Sequence, residues 1–279
     1  MAPSDSQLNE VAKQAAIGGH TSLLNSILDR MPDNYLVRWD VILEGAVEGG
    51  HKHIVNHILS LIPNDQIDWQ GLAESAVWGK DEDMIHHIIS KAPVDYSWNL
   101  NRLAAFSSNQ TKFDFVLSLP NSTNLILDWN HILQYKVDNY ELFNHVLSLI
   151  PSNYPIDWQT ILQAAMQNDE TLAMPIYIIG IAPVLDYNDA FVTASLQSTS
   201  HNFDCILQTV REKLMKEGQI SAETPNENLF DWQTIMEEIL DYNIDHEVLD
   251  HIYKLTGNYD YDWEKLENII SLDHDWSIL

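Results

Sequence analysis

Twelve histidines are spread through 279 residues, and some stand at intervals that metal chemistry uses. His53 and His57 are four residues apart, which puts both imidazoles on one face of a helix, with His51 close by. Asp83 and His87 repeat the interval one segment later. Two such donors and a third ligand would hold a zinc ion. The wider sequence points elsewhere. His57, His87, His145 and His251 share one recurring position, the residue before an apolar pair, and Ser26, Phe115, Tyr177 and Cys205 fill it in other segments. A position that takes Phe and Tyr as readily as His borders a core. It should form a ladder, with each imidazole packing by one edge and hydrogen-bonding a loop carbonyl by the other. Packing is therefore the expectation. His57, His87 and His145 remain candidates for a binding ladder, and no metal ion is expected.

Other chemistry is weaker still. The sequence contains no HExxH, GxxxxGK[ST], GxSxG or CxxC. Paired carboxylates such as KDED at 80–83 arise freely in so acidic a chain and read as solvated faces. The single cysteine, Cys205, falls in the histidine position beside Ile206 and reads as a half-buried, inert thiol. No catalytic residue and no cofactor is expected, and the chain reads as a non-enzyme.

The elements that carry these residues repeat. Trp39, Trp69, Trp98, Trp129 and Trp158 follow one another at intervals of 30, 29, 31 and 29, and Tyr187 takes the same place 29 later. Trp232 follows after 45 and Trp263 after 31, with Leu8 as an aromatic-free first copy. Seven of nine tryptophans fall in this one column, which excludes chance as the cause. Seven residues on comes alanine (Ala15, Ala46, Ala76, Ala105, Ala165, Ala194), with Lys136, Ile239 and Ile270 as exceptions. Three further come Gly18, Gly49, Gly79, Ser108, Asn139 and Asn168, residues that end helices. An apolar pair such as Ile58-Leu59 closes each second half, and proline follows at Pro32, Pro63, Pro93, Pro120, Pro151 and Pro183. Asp68, Asp128, Asp157, Asp231 and Asp262, and Ser97 before Trp98, stand where a helix N-cap is needed. In the second half of one segment, Ile54, Val55, Ile58, Leu59 and Ile62 make a single apolar stripe.

Each segment is thus a helix–turn–helix unit too short to bury its own face, so neighbours must stack. The expected fold is all-α: an α-solenoid of about eight antiparallel helix pairs plus a C-terminal capping helix near 266–272. It is expected as one array over 1–279, with units beginning near 8, 39, 69, 98, 129, 158, 187, 232 and 263 and an insertion at 208–230. The Trp column is expected to wedge between units.

The stretches AVEGGHKHIVNHIL at 46–59 and AAIGGHTSLLNSIL at 15–28 resemble the passage between the two helices of an ankyrin repeat. The threonine-proline-leucine-histidine opening of that repeat is replaced by Asp-Trp, and the period is shorter than about 33 residues. The chain is similar to the divergent ankyrin-like repeat proteins of the bacterial effector type. That resemblance implies a regulator that binds and restrains a partner protein, such as another effector enzyme, as metaeffectors do. It also implies translocation into a host cytosol.

Departures from the repeat are the places to look for function. Trp78 stands in a column otherwise filled by Glu48, Ser107, Asp138, Gln167 and Asp241, and Tyr242 joins a column of Gly, Ser and Asn. Aromatics in polar positions near helix ends are expected to be exposed and to serve as binding anchors. The insertion concentrates Arg211, Lys213 and Lys216, and insertions in repeat arrays are often used for binding.

Charge narrows the partner. Forty-one Asp and Glu against fourteen Lys and Arg leave −27. Such a field repels nucleic acid and anionic membrane, so neither is expected as a partner. It suits a basic face on another protein, met by an acidic concave surface of the array. A multivalent scaffold without an inhibitory role is the alternative. The lone cysteine, the absence of an apolar run of about 20 residues, and a start (MAPSDSQLNE) without a signal-peptide profile give a cytoplasmic expectation. The acidic end, DYDWEKLENIISLDHDWSIL at 260–279, is compatible with a C-terminal secretion signal.

Overall fold

The computed structural model describes residues 5–32, 35–79, 81–119, 126–168, 172–197, 200–241, 246–257 and 259–266. All regular structure among them is helical. They form two compact units, 1–132 and 133–279. The first holds α1 (Asp5–Ile17), α2 (Thr21–Leu28), α3 (Trp39–Glu48), α4 (Lys52–Leu59), α5 (Trp69–Trp78), α6 (Glu82–Lys91), α7 (Leu100–Phe106) and α8 (Gln110–Ser118). The division falls inside α9 (Trp129–Gln134). The second unit holds α10 (Tyr140–Leu149), α11 (Trp158–Asn168), α12 (Ala173–Ile181), α13 (Tyr187–Gln197), α14 (Ser200–Lys216), α15 (Trp232–Asp241) and α16 (His246–Leu255). Residues 263–266 begin another helix, and the rest of the expected capping helix lies outside the described residues.

Helices pair and stack as the repeat requires. In the first unit α1 packs on α2, α3 on α4, α5 on α6 and α7 on α8, while α1, α3, α5 and α7 pack in succession. The second unit does the same: α11 with α12 and α13 with α14, α11 against α13 against α15, and α12 against α14 against α16. The stacked faces are the predicted stripes. Ile42, Leu43, Ala46 and Val47 of α3, Leu72, Ala73, Ala76 and Val77 of α5, and Ile54, Val55 and Ile58 of α4 are all buried. The apolar pairs of α2, α4, α6, α8 and α10 are asymmetric: their first members Ile27, Ile58, Ile88, Val116 and Val146 are buried, their second members only half-buried.

The caps follow the sequence closely. Asp68, Asp128, Asp157, Asp231 and Asp262 each accept the backbone N–H three residues on, at 3.0–3.2 Å. Ser97 does not cap. Asn99 does, accepting from the Arg102 N–H at 3.2 Å, so α7 starts at Leu100. Leu100 then takes the buried place that Trp69 holds in α5, and Trp98 lies outside the helix, half-buried against Tyr96 with ring centroids 4.5 Å apart. The indole column is therefore not uniform. Trp69, Trp129 and Trp232 are buried, Trp39 and Trp158 half-buried, and Trp263 is 49% exposed beside Tyr253 and Tyr261.

Two sets of side chains tie each helix pair to the next. On the first helices, an amide one to three residues past the start of the repeat reaches the cap of the following helix. Asn9 accepts the Arg38 N–H at 2.9 Å, Gln70 that of Asn99 at 2.9 Å, Asn101 that of Asp128 at 2.8 Å, Gln159 that of Asp186 at 2.8 Å and Gln233 that of Asp262 at 2.8 Å. Three of these amides also donate to the next loop: Asn9 to Leu36 O, Gln70 to Asn99 O and Gln159 to Asp186 O. Backbone groups just outside a helix have no ladder partner of their own, and the amide supplies one. On the second helices the predicted ladder exists. Its partner is a side chain of the previous pair, not a loop carbonyl: His57 bonds Asn25 at 3.0 Å, His87 bonds Asn56 at 3.1 Å, Tyr177 donates to Asn144, and His251 meets Asp204 at 2.8 Å. Phe115 makes the same rung by stacking on His86, with centroids 3.8 Å apart.

The glycine column also has a different cause from the one expected. Gly49 is right-handed, and the left-handed residue that ends the helix is Gly50, at φ 75°. Gly49 is required by close approach, since a Cβ there would lie 2.3 Å from the Ile17 carbonyl oxygen of the previous pair. By contrast a Cβ on Gly180, inside α12, would meet nothing within 4 Å. Gly49→Ala should lower the unfolding free energy by about 1–3 kcal/mol. Gly180→Ala should raise it by roughly 0.5–1 kcal/mol through helix propensity. Urea titration of both variants checks the pair of signs.

Candidate protein-binding cleft

Burying one stripe of α3 and α5 leaves the opposite stripe free, and its contents are set by position within the repeat. Glu44 and Glu48 stand four apart on α3, and Glu74 and Trp78 occupy the same two positions on α5. Lys13 holds the Glu44 position on α1. These side chains, with Ser75 and with Phe106 at the end of α7, line a cleft of 460 Å³ within the first unit. Trp78 is 66% exposed, as its polar column predicts. Glu44 is half-buried and Glu48 exposed, and neither makes an ion pair among the described residues. Glu74 is held: it pairs with Arg102 at 2.7 Å and accepts from Gln70 at 2.8 Å. The Arg102 guanidinium in turn lies 5.8 Å from the Phe106 ring centroid. With Glu74 neutralised by Arg102, Glu44 and Glu48 against Lys13 leave the cleft negative around an open indole, a surface that attracts a cation and offers it an aromatic face.

A second groove, of 530 Å³, lies in the other unit between Tyr154, Trp158, Pro183 and Val184. Its polar side chains are already used by the fold, Asp157 in capping α11 and Gln159 in clamping Asp186. Its two carboxylates, Asp157 and Asp186, both accept backbone N–H groups at helix starts.

The remaining sequence candidates separate. His57 and His87 are rungs with their Nε2 atoms on asparagine oxygens, and His145 is half-buried in the same column. Burial, with Lys91 and Lys52 nearby, pushes the His87 imidazole below its ordinary range. His51 reaches back to the Ile17 carbonyl at 2.9 Å. Among the described residues no three His, Cys, Asp or Glu come together as a metal cluster would need. Tyr242 lies outside the described residues.

The insertion's three cations differ in exposure and do not form one open cluster. Lys213 is buried, and its ammonium donates to the Ile179 and Ala182 carbonyls that end α12. Arg211 donates to Asn226 at 2.8 Å and so ties the loop after α14 to its own helix. Lys216 alone of the three is exposed. The loop continues inward: Asn226 O accepts the Trp232 indole N–H at 2.8 Å, and Phe230 packs among Phe191, Tyr187 and Trp232. A lysine reaching the carbonyl end of a preceding helix is favoured by the helix dipole. It recurs in the first unit, where buried Lys112 donates to Ala76 O and Gly79 O at the end of α5. The sequence did not mark Lys112, and it marked Lys213 only as one of the insertion's cations, because the capping role depends on a helix end 31–36 residues earlier.

No protein-family model matches the chain, and neither a curated protein nor a solved structure matches it. Among the described residues no helix is long and apolar enough to cross a membrane.

One buried cation has a measurable consequence. Lys136 is 2% exposed in a column that holds alanine in most units, and burial pushes its ammonium down to about 8, against the opposing pull of Asp138. At pH below 8 the folded chain carries the full cost of that buried charge. Between 8 and 10.5 the unfolded chain holds a proton that the folded one has released, so stability rises with pH in this window. Lys136→Met should lack this rise, so the parent should gain on the variant by about 3 kcal/mol as pH climbs from below 8 to 10.5, the ordinary value for lysine. Paired urea titrations from neutral to alkaline pH read the difference directly.

Proposed function

We propose that the chain is a non-enzymatic protein-binding module that engages a basic face of one partner protein and restrains that partner's activity. The observation that carries this reading is the Trp78 cleft, a largely exposed indole framed by Glu44, Glu48 and Glu74 on a stack of rigid helices. An exposed large aromatic in a concave site is the usual anchor of a protein contact. The charge of −27 supports the same reading, since it steers a basic partner toward the chain and repels nucleic acid. If the partner is an enzyme acting on anionic substrates, this acidic surface would compete for the positive charges that bind them. The ankyrin-like resemblance and the bacterial effector setting belong to this proposal, with cytosolic action as its consequence.

The reading predicts one tight, stoichiometric complex whose affinity falls as salt rises. Capture of the partner from the native cell by the immobilised chain, followed by titration from low to high ionic strength on the purified pair, measures it. Affinity that stays flat across a range in which the Debye length shrinks from about 30 Å to about 3 Å would sink the electrostatic mechanism. Several weak ligands in place of one tight one would favour a scaffold.

A further inference from the structure

We propose that the Trp78 cleft is a guanidinium site, taking an arginine from a basic segment of the partner, stacked on the indole and paired with Glu44 and Glu48. The inference rests on the reading of the chain as a protein-binding module and names the chemistry of its contact.

The chain already contains one copy of this arrangement. At one edge of the cleft the Arg102 guanidinium is held by a carboxylate, Glu74, and lies near an aromatic face, Phe106. Gln70 fixes the same carboxylate from the other side at 2.8 Å. Trp78 and the Glu44–Glu48 pair supply the same parts, a ring and carboxylates, without an ion-pair partner among the described residues. Glu44 and Glu48 sit at i, i+4 on α3, an arrangement of like charges that repels until a cation lies between them. The pair therefore favours a positive ligand independently of what the chain as a whole attracts.

Arginine fits better than lysine. Its planar guanidinium can face the indole and still donate in plane to a carboxylate, and it gives up water more readily than an ammonium. The volume of 460 Å³ exceeds what one side chain fills, so the cleft has room for the segment on either side of the arginine. Lys13 also lines the cleft, which limits how many positive residues the segment can place there. An anion is disfavoured by three glutamates, and a metal ion by the lack of a three-ligand cluster.

Titration calorimetry with hexa-arginine and hexalysine peptides tests the site on the full chain. Hexa-arginine should bind about tenfold more weakly to Trp78→Ala and to the double variant Glu44→Gln/Glu48→Gln than to the parent. A charge-matched control, Glu212→Gln/Glu223→Gln in the other unit, should stay within about twofold because screening confines the effect to the local site. The parent should prefer hexa-arginine to hexalysine, and Trp78→Ala should lose that preference. Circular dichroism should show all variants folded, since Trp78 and Glu48 are exposed. Equal weakening in the control and cleft variants, no preference for arginine, or no binding would each overturn the proposal. The partner capture separates this failure from that of the module. A Trp78→Ala chain that still holds its partner in a salt-sensitive complex would remove the cleft and leave the module, whereas a parent chain with no partner at any salt would remove the module itself.

Discussion

Everything in this structure follows from helix pairs that cannot bury their own apolar stripes. A pair such as α3 and α4 has one stripe per helix, and each must find its cover on the pair before or after. Stacking alone would leave the backbone at every helix start without partners, since the first N–H groups of a helix have none within it. The aspartate caps satisfy one such group from within the helix, and the amides of Asn9, Gln70, Asn101, Gln159 and Gln233 satisfy another from the neighbouring pair. Cap and clamp meet on the same residue at Asn99, Asp128, Asp186 and Asp262. The start of each helix clamped in this way is thereby tied to the preceding pair.

The second helices are tied by different chemistry with the same logic. Their rungs accept imidazole, phenol or phenyl at one position and asparagine, aspartate or histidine at the other. This variety explains why histidine is so common at these positions. An imidazole is long enough to bridge two stacked helices, flat enough to pack against the core edge, and polar at its tip. The buried lysines Lys112 and Lys213 work as long-range caps for the same reason, a long apolar stem ending in a donor group.

Function enters where this economy of repeated positions leaves a side chain over. Stacking uses one face of α3 and α5 and leaves Glu44, Glu48, Glu74 and Trp78 pointing away from it. Rigid helices then hold an indole and three carboxylates in fixed relation, which lowers the ordering cost of any ligand they bind. The insertion after α14, by contrast, folds inward onto Trp232 through Asn226 and Phe230. Two of its cations are used by the fold, Arg211 on Asn226 in the loop and Lys213 on the end of α12.

The sequence by itself determined the helix pairs, their period, the aspartate caps, the buried stripes and the exposure of Trp78. Each is written in residue types a few positions apart, where helix geometry makes spacing equal to direction. The tertiary structure alone decided which groups meet across roughly thirty residues. It moved the cap of α7 from Ser97 to Asn99, turned the ladder's partners from carbonyls into Asn25, Asn56 and Asn144, and set Lys213 on the end of α12 and Arg211 on Asn226. It also brought Glu44, Glu48, Glu74, Trp78 and Phe106 from three helices to one cleft. The physical reason is that an amphipathic pattern fixes which face of a helix is buried but leaves open the register against its neighbour. That register is chosen by the few polar groups that must find partners when the helices close.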